Sequence, residues 1–149
     1  MKVKIGDLTN IKTGKLDANA SSEDGQYPFF TCSREPLKIS TYSYDCECVL
    51  VAGNGDLNVK YYKGKFVTAD NRIATSNDTN ELLNKFLYYW MISQGELIDT
   101  FYRGSGIKQP NMAAILNMEI PIPPLPVQAE IVRILDNFTE LTAELTAEL

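Results

Sequence analysis

Large apolar residues recur near the C-terminus of the chain at the spacing of an α-helix. They follow one another at intervals of three, four, three and four residues, which is typical of a helix that packs along another helix. Pro126, at the start of this segment, can occupy the first helical turn, where its missing N–H is not needed. We therefore predict a helix over residues 126–149 with one apolar face. Its apolar row consists of Ile131, Ile134, Phe138, Leu141 and Leu145.

The last nine residues, LTAELTAEL, contain two copies of the tetrapeptide TAEL. Four residues add about 6 Å to a helix and slightly more than one turn, so each copy would lengthen the helix by a fixed step. Two interpretations stay open at this point. The helix either folds back onto its own domain, or projects as a rod that pairs with another helix. The repeat favours the rod.

Residues 1–125 show shorter apolar runs of mixed period. The run CECVLVA at residues 46–52 predicts a buried strand that ends in the turn GNGD, and NVKYYKGKFVTA at residues 58–69 predicts a hairpin around Lys63 and Gly64. Helical spacing over residues 82–91 predicts a helix capped by Thr79 or Asn80. Asn111 is a candidate cap for a further short helix. These elements together predict a mixed α/β body.

The composition fits one globular body with an appendage. The chain has 149 residues, 44% hydrophobic and 22% charged, which is enough to bury one core. No run approaches the ~18 apolar residues of a membrane span, and the first residues lack the apolar segment of a signal peptide. We therefore expect a cytoplasmic protein without a membrane partner.

Histidine is absent and the three cysteines are too few for a four-ligand zinc site. We expect reduced, mostly buried thiols and no bound metal. Without histidine, a Ser/His or Cys/His nucleophile pair is excluded, and catalysis would depend on carboxylates, lysine or tyrosine. The turn GNGD lacks the spacing of a phosphate loop. We therefore assign no catalytic residue, and a carboxylate-based enzyme is kept only as a rival hypothesis.

The net charge of −5 is unevenly distributed. Residues 126–149 carry five carboxylates and one arginine, a net charge of −4, which leaves the body at −1. Lysines and arginines of the body can therefore still form a local basic face.

Several polar loops of the body combine cations with serine, asparagine or glutamine. Lysine and arginine neutralise phosphates, whereas asparagine, glutamine and arginine read base edges. Solvated loops are the alternative for each segment taken alone. An aromatic run at residues 86–90 could stack on bases but is more typical of a core. The candidate DNA-binding residues are Lys15, Asn19, Ser21, Arg34, Lys38, Lys60, Lys63, Lys65, Arg103, Ser105, Lys108 and Gln109.

With these motifs the chain resembles one half of the DNA-specificity subunit of a Type I restriction-modification system. The matching segments follow the order of that family over nearly the whole chain, and the last of them is the most specific. They are IGDL at residues 5–8, TGK at 13–15, YPFF at 27–30, VLVAGNGD at 49–56, GSGIKQPNM at 104–112 and EIPIPPLPVQAEIVRILD at 119–136.

The resemblance implies a division of labour. In that family a target recognition domain binds one half of a bipartite DNA sequence, and the helix that follows is a spacer. Partner subunits carry the chemistry: modification subunits methylate adenine with S-adenosylmethionine, and a motor subunit cleaves the DNA. Family members normally carry two recognition domains and two spacer helices. A single copy of each implies a half-subunit, natural or truncated.

We therefore expect a non-catalytic specificity half-subunit with no cofactor of its own. Residues 1–125 would form the recognition domain, and residues 126–149 a coiled-coil spacer through which two copies form a homodimer. Double-stranded DNA, modification subunits and, through them, the restriction subunit would be its partners. The alternative is an interaction fragment that docks on a modification subunit and binds DNA poorly alone.

Overall fold

A computed structural model describes residues 1–16 and 20–148 of the chain. It has a mixed α/β body followed by one long helix, as predicted. In chain order the elements are β1 (Lys2–Lys4), α1 (Ile5–Leu8), β2 (Thr9–Lys15), β3 (Tyr27–Phe30), β4 (Leu37–Ile39), β5 (Tyr44–Ala52), β6 (Val59–Ser76), α2 (Asn84–Ser93), α3 (Gly95–Asp99), β7 (Tyr102–Arg103), β8 (Gln109–Pro110), α4 (Met112–Leu116), β9 (Glu119–Pro121) and α5 (Leu125–Glu148).

The central sheet is built around the long strand β6. Strand β5 lies between the two halves of β6, so that Leu50 is opposite both Lys60 and Ile73. The second half of β6 pairs antiparallel with β2, and β3 pairs parallel with β6 at Val67 and Thr68. Because residues 49–51 of β5 are flanked by β6 on both sides, they are almost completely buried, as their apolar run predicted.

The hairpin predicted around Lys63 and Gly64 is wrong. Strand β6 continues through both residues, paired with β5, and the chain turns instead at residues 53–58 between β5 and β6. Gly64 has a φ of +140° within the strand, and the Tyr62 ring lies over it, 3.3 Å from where a Cβ would stand. The glycine therefore makes room for a neighbouring ring and does not mark a turn.

Helix α2 packs against this sheet with its apolar face, which includes the buried Leu87 and Met91. The predicted cap by Thr79 or Asn80 is wrong, because the helix begins only at Asn84 and its N-cap, Leu83, offers no side-chain hydrogen bond. The Asn84 side chain instead accepts a 2.7 Å hydrogen bond from the Ser76 N–H. The end of β6 therefore positions the start of α2.

The two ends of the body meet at one small sheet. Strand β1 pairs antiparallel with β9, and the Ile5 N–H donates to the Met118 carbonyl at 2.9 Å. The short helix α4 is capped as predicted, since the Asn111 side chain accepts from the Ala114 N–H at 3.1 Å. This closure places the start of α5 beside the body.

Helix α5 has two parts with different surroundings. Its first part, residues 125–136 (the docked segment), packs on α2 and on the turn before it. Its second part, residues 137–148 (the distal segment), is exposed along its whole length. The first part therefore folds back onto its own domain and the second part projects from it, while pairing of the second part with another helix stays a prediction. None of the helices in the described part of the chain is both long and apolar enough to cross a membrane.

Candidate nucleic-acid interface

Three loops of the body meet at one place, which we call the loop junction: residues 31–34, 53–58 and 103–109. The Gly55 N–H donates to the Lys108 carbonyl at 2.8 Å, and Lys108 Nζ lies 3.3 Å from Asp56 Oδ1. The buried Tyr102 hydroxyl donates to the Ala52 carbonyl at 2.6 Å, which fixes the start of β7 at the end of β5. Five predicted residues lie exposed on these loops: Arg34, Arg103, Ser105, Lys108 and Gln109.

A sixth predicted residue, Lys60, contacts the first of these loops through its side chain. It is half-buried, and its Nζ donates to the Thr31 carbonyl at 3.1 Å. The same carbonyl accepts from Asn71 Nδ2 at 2.9 Å, and Asn58 Nδ2 donates to the next carbonyl, of Cys32. Burial lowers the pKa of the Lys60 ammonium. Lys60 also lines a cleft of about 560 Å³ together with Arg34.

Five of the remaining predicted residues, Lys15, Ser21, Lys38, Lys63 and Lys65, lie elsewhere on the body. Lys65 Nζ lies 4.9 Å from the centroid of the Tyr42 ring, which packs in turn on Tyr27 of β3. The Lys38 carbonyl accepts from the Ser22 N–H, next to Ser21. Asn19 lies outside the described residues. Lys15 ends β2 opposite Ala69, and Lys63 is opposite Glu47 on β5.

The sequence reasoning missed a second polar cluster at the loop junction. Asn54 Nδ2 donates to Asp70 Oδ2, and Arg72 Nη1 lies 3.4 Å from Asp70 Oδ1. Asp70 has a φ of +34°, a conformation that residues other than glycine rarely adopt. The cluster joins residues far apart in the chain, and its only sequence signal is a polar stretch, ADNR at residues 69–72, inside a long strand.

The apolar row of α5 is divided between the two parts of the helix. Ile131 packs against the core of its own body. The exposed part of the row therefore begins at Ile134, and its other members are Phe138, Leu141 and Leu145, with exposed fractions between 51% and 67% for the four. The dimer contact predicted for these residues stays a prediction.

Among residues 1–16 and 20–148, no three His, Cys, Asp or Glu side chains are grouped so that they could hold a metal ion. Cys32, Cys46 and Cys48 are free thiols. Burial raises the pKa of the Cys48 thiol, which makes it less reactive.

Comparisons with known proteins agree on one family. The model of the Type I restriction modification DNA specificity domain matches residues 1–149. The chain is 37% identical to the Type I restriction enzyme EcoDI specificity subunit of Escherichia coli over 123 residues, which cover 81% of this chain and 27% of that subunit. It is 44% identical to the EcoR124I/EcoR124II specificity subunit of Escherichia coli over 85 residues, 52% of this chain and 20% of that one.

Solved structures share the fold. The S subunit of a Type I restriction-modification system from M. genitalium superposes with a TM-score of 0.85 at 23% identity, over 99% of this chain and 41% of that one. The HsdS subunit from Thermoanaerobacter tengcongensis gives a TM-score of 0.69 at 16% identity, over 99% and 39%. The chain thus spans between a fifth and about two fifths of the length of these relatives.

Proposed function

The chain belongs to the family of Type I restriction modification DNA specificity domains, and we propose that its body binds one half-site of a bipartite DNA sequence. The observation that carries this proposal is the loop junction, where Arg34, Arg103 and Lys108 are exposed on adjoining loops. Cations on several loops of a rigid body neutralise neighbouring phosphates and fix the register of the protein on the duplex.

Charge segregation supports this role. The body has a net charge of only −1, whereas the helix residues 126–149 carry −4. Carboxylates near the DNA would repel its phosphates. The helix residues 126–149 carry five of the 19 carboxylates but only one of the 14 cations, so 13 cations remain on the body. Ser105 and Gln109 lie among these cations, with side chains able to hydrogen-bond to bases or phosphates.

The distal segment is proposed to be the spacer. Two copies of the chain would bury their exposed apolar rows against each other, and closed two-fold symmetry is the simplest arrangement that buries one self-complementary row twice. The two bodies would then hold two half-sites related by the same symmetry. The recognised DNA would be an inverted repeat whose central gap follows the length of the helix pair.

Catalysis is proposed to belong to partner subunits. The chain would recruit modification subunits, which bind S-adenosylmethionine and methylate adenine, and through them a restriction subunit. We propose that it acts in the cytoplasm and contributes the choice of sequence, with no cofactor of its own.

The test is selection of binding sites from a random DNA library with one, two or three TAEL copies in the distal segment. One copy adds about 6 Å of helix, and DNA rises about 3.4 Å per base pair. Each copy should therefore change the preferred gap by one or two base pairs and leave the half-site bases unchanged. A control chain, in which the second TAEL is replaced by another helical tetrapeptide, should keep the original gap.

Two outcomes would contradict the proposal. A gap that stays constant across the series would show that the helix does not set the distance. A chain that retains no specific DNA but co-purifies with a modification subunit would instead support the interaction-fragment alternative.

A further inference from the structure

The turn at residues 53–58 holds one amide side chain, Asn54, in a fixed orientation at the loop junction. Asn54 Nδ2 donates to the Asp70 carboxylate. An ionised carboxylate only accepts hydrogen bonds, so the nitrogen of the amide, and not its oxygen, must face Asp70. The direction of the Asn54 oxygen is thereby determined.

Further contacts fix both the Asp70 carboxylate and the turn that carries Asn54. Arg72 contacts the other oxygen of the Asp70 carboxylate, at 3.4 Å. Gly53 lets the turn approach this cluster, because a Cβ at that position would stand 2.0 Å from the Asp70 carbonyl oxygen. Gly55 has a φ of +73°, and its N–H fixes the turn to the Lys108 carbonyl. The turn is therefore tied to β6 and to the loop at residues 103–109.

Asp70 itself adopts a sparsely populated backbone conformation, with a φ of +34°. Such conformations are unfavourable for residues other than glycine and persist where the surroundings require them. Here the same residue bonds both Asn54 and Arg72 and accepts at its carbonyl from Cys32 Sγ at 3.5 Å. In this conformation the Asp70 carboxylate faces Asn54 and Arg72, and the Asp70 carbonyl faces Cys32.

Asn54 retains one acceptor and one donor for a ligand. An amide carries an oxygen acceptor and two N–H donors. Within the described residues, the only side-chain hydrogen bond of Asn54 uses one of those donors. The remaining pair is the one that contacts adenine in a duplex, where the oxygen accepts from N6 and the nitrogen donates to N7.

The surroundings of Asn54 place this pair beside DNA-binding chemistry. Asn54 and Arg34 line the same cleft, of about 530 Å³, between the loops at residues 31–34 and 53–58. Lys108 adjoins the turn through its bond with Gly55. A base edge at this point would have phosphate-binding cations close to it.

We propose that Asn54 reads an adenine of the half-site through a bidentate contact and that Asp70 positions it. This inference rests on the proposed function, since it names one base contact within the proposed DNA interface. It assigns a role to the GNGD turn that is additional to turning the chain.

The experiment is site selection with the full chain and with Asn54→Ala. The wild-type chain should select a half-site that contains adenine at a position where Asn54→Ala loses the preference. The expected loss is roughly five- to a hundredfold in affinity for adenine over other bases at that position. Asn117→Ala, at an exposed asparagine after α4, is the matched control and should change no base preference.

A second variant covers the case in which Asn54→Ala folds poorly. Asp70→Asn keeps a residue type that tolerates positive φ but replaces the carboxylate that orients Asn54. It should weaken the preference at the same base position and leave the slope of affinity against salt unchanged, because no phosphate contact is lost.

The outcomes separate this inference from the proposed function. If wild-type chain selects a specific sequence and neither variant alters one position of it, Asn54 does not read a base, although the proposed function stands. Loss spread evenly over all positions would also overturn the inference. If wild-type chain selects no sequence at all, the proposed function itself fails.

Discussion

The core of the body and the distal segment of α5 differ in how far their large apolar side chains are buried. In the body Phe29, Leu50 and Ile73 are buried almost completely, whereas Phe138 and Leu141 of the distal segment are 67% and 54% exposed. The body thus completes its own core. The distal segment carries an apolar row that is left uncovered by the part of the chain that the structure describes. The difference shows that the body buries its own core, and it leaves the distal segment available for the pairing that we propose.

The docked segment joins these regions through polar contacts. Gln128 is fully buried, accepts from the Leu83 N–H at 2.9 Å and donates to the carbonyls of Glu81 and Pro123. Asp136 accepts from Lys85 Nζ at 3.0 Å and from the Tyr89 hydroxyl. Burial and this second hydrogen bond raise the pKa of Tyr89 to about 12. The docked segment therefore fixes the direction in which the distal segment leaves the body.

The largest expected effect removes the proposed pairing of the exposed apolar row, which begins at Ile134 at the end of the docked segment and continues along the distal segment. Ile134→Glu with Leu141→Glu places four carboxylates in a paired interface, where each lost apolar side chain contributes about 1.5–3 kcal/mol. The dimer dissociation constant should rise by a factor of a thousand or more. Sedimentation at tens of micromolar should then give a monomer of 16.7 kDa.

The control places the same charges on the opposite face of the helix. Ala143→Glu with Ala147→Glu adds two carboxylates about 200° around the helix from Leu141 and Leu145 and should leave the dimer intact. A wild-type chain that sediments as a monomer would contradict the role given to the distal segment.

The second largest effect is expected from a substitution that weakens the packing of the docked segment on the body. Gln128→Ala leaves a buried N–H and two carbonyls without their partner, which should lower the free energy of unfolding by about 3 kcal/mol. Urea unfolding in the Ile134→Glu, Leu141→Glu background measures this without a contribution from pairing. Asn137→Ala, at the exposed start of the distal segment, should change it by less than about 0.5 kcal/mol. Equal effects would show that docking is not local to Gln128.

Local sequence patterns predicted the elements that depend on local physics. The helical period of residues 126–149, the apolar run of β5 and the Asn111 cap each needed only neighbouring residues. The hairpin around Gly64 was wrong because pairing with β5 decides where β6 continues. The sequence also showed no sign that α5 is divided into a docked and a distal segment. The period is the same on both sides of Asp136, and only the position of α2 shows which apolar residues have a partner.

The candidate site was predictable by residue type but not by position. Lysines and arginines in polar loops indicated a basic face, yet the sequence could not show that Arg34 and Lys108 belong to adjoining loops. It also missed Asn54, because the partner that orients it, Asp70, lies 16 residues further along the chain and in an unusual conformation. Contacts between distant segments determine such a site, and one sequence does not reveal them.

The smallest expected effect concerns single cations of the body, for some of which we propose contacts with DNA phosphates. Lys63 is exposed, so Lys63→Ala should lower the slope of log affinity against log salt by about 0.9, the value for one lost phosphate contact. Lys60 gives a matched contrast. Its Nζ already donates to the Thr31 carbonyl, so Lys60→Met should lower the slope less and reduce the stability of the body more. Salt titrations on specific and random DNA, with urea unfolding of both variants, measure these changes. If the two variants have identical slopes and stabilities, the half-buried Lys60 and the exposed Lys63 do not differ in role. The distinction between a stabilising lysine and a DNA-contacting lysine would then be wrong.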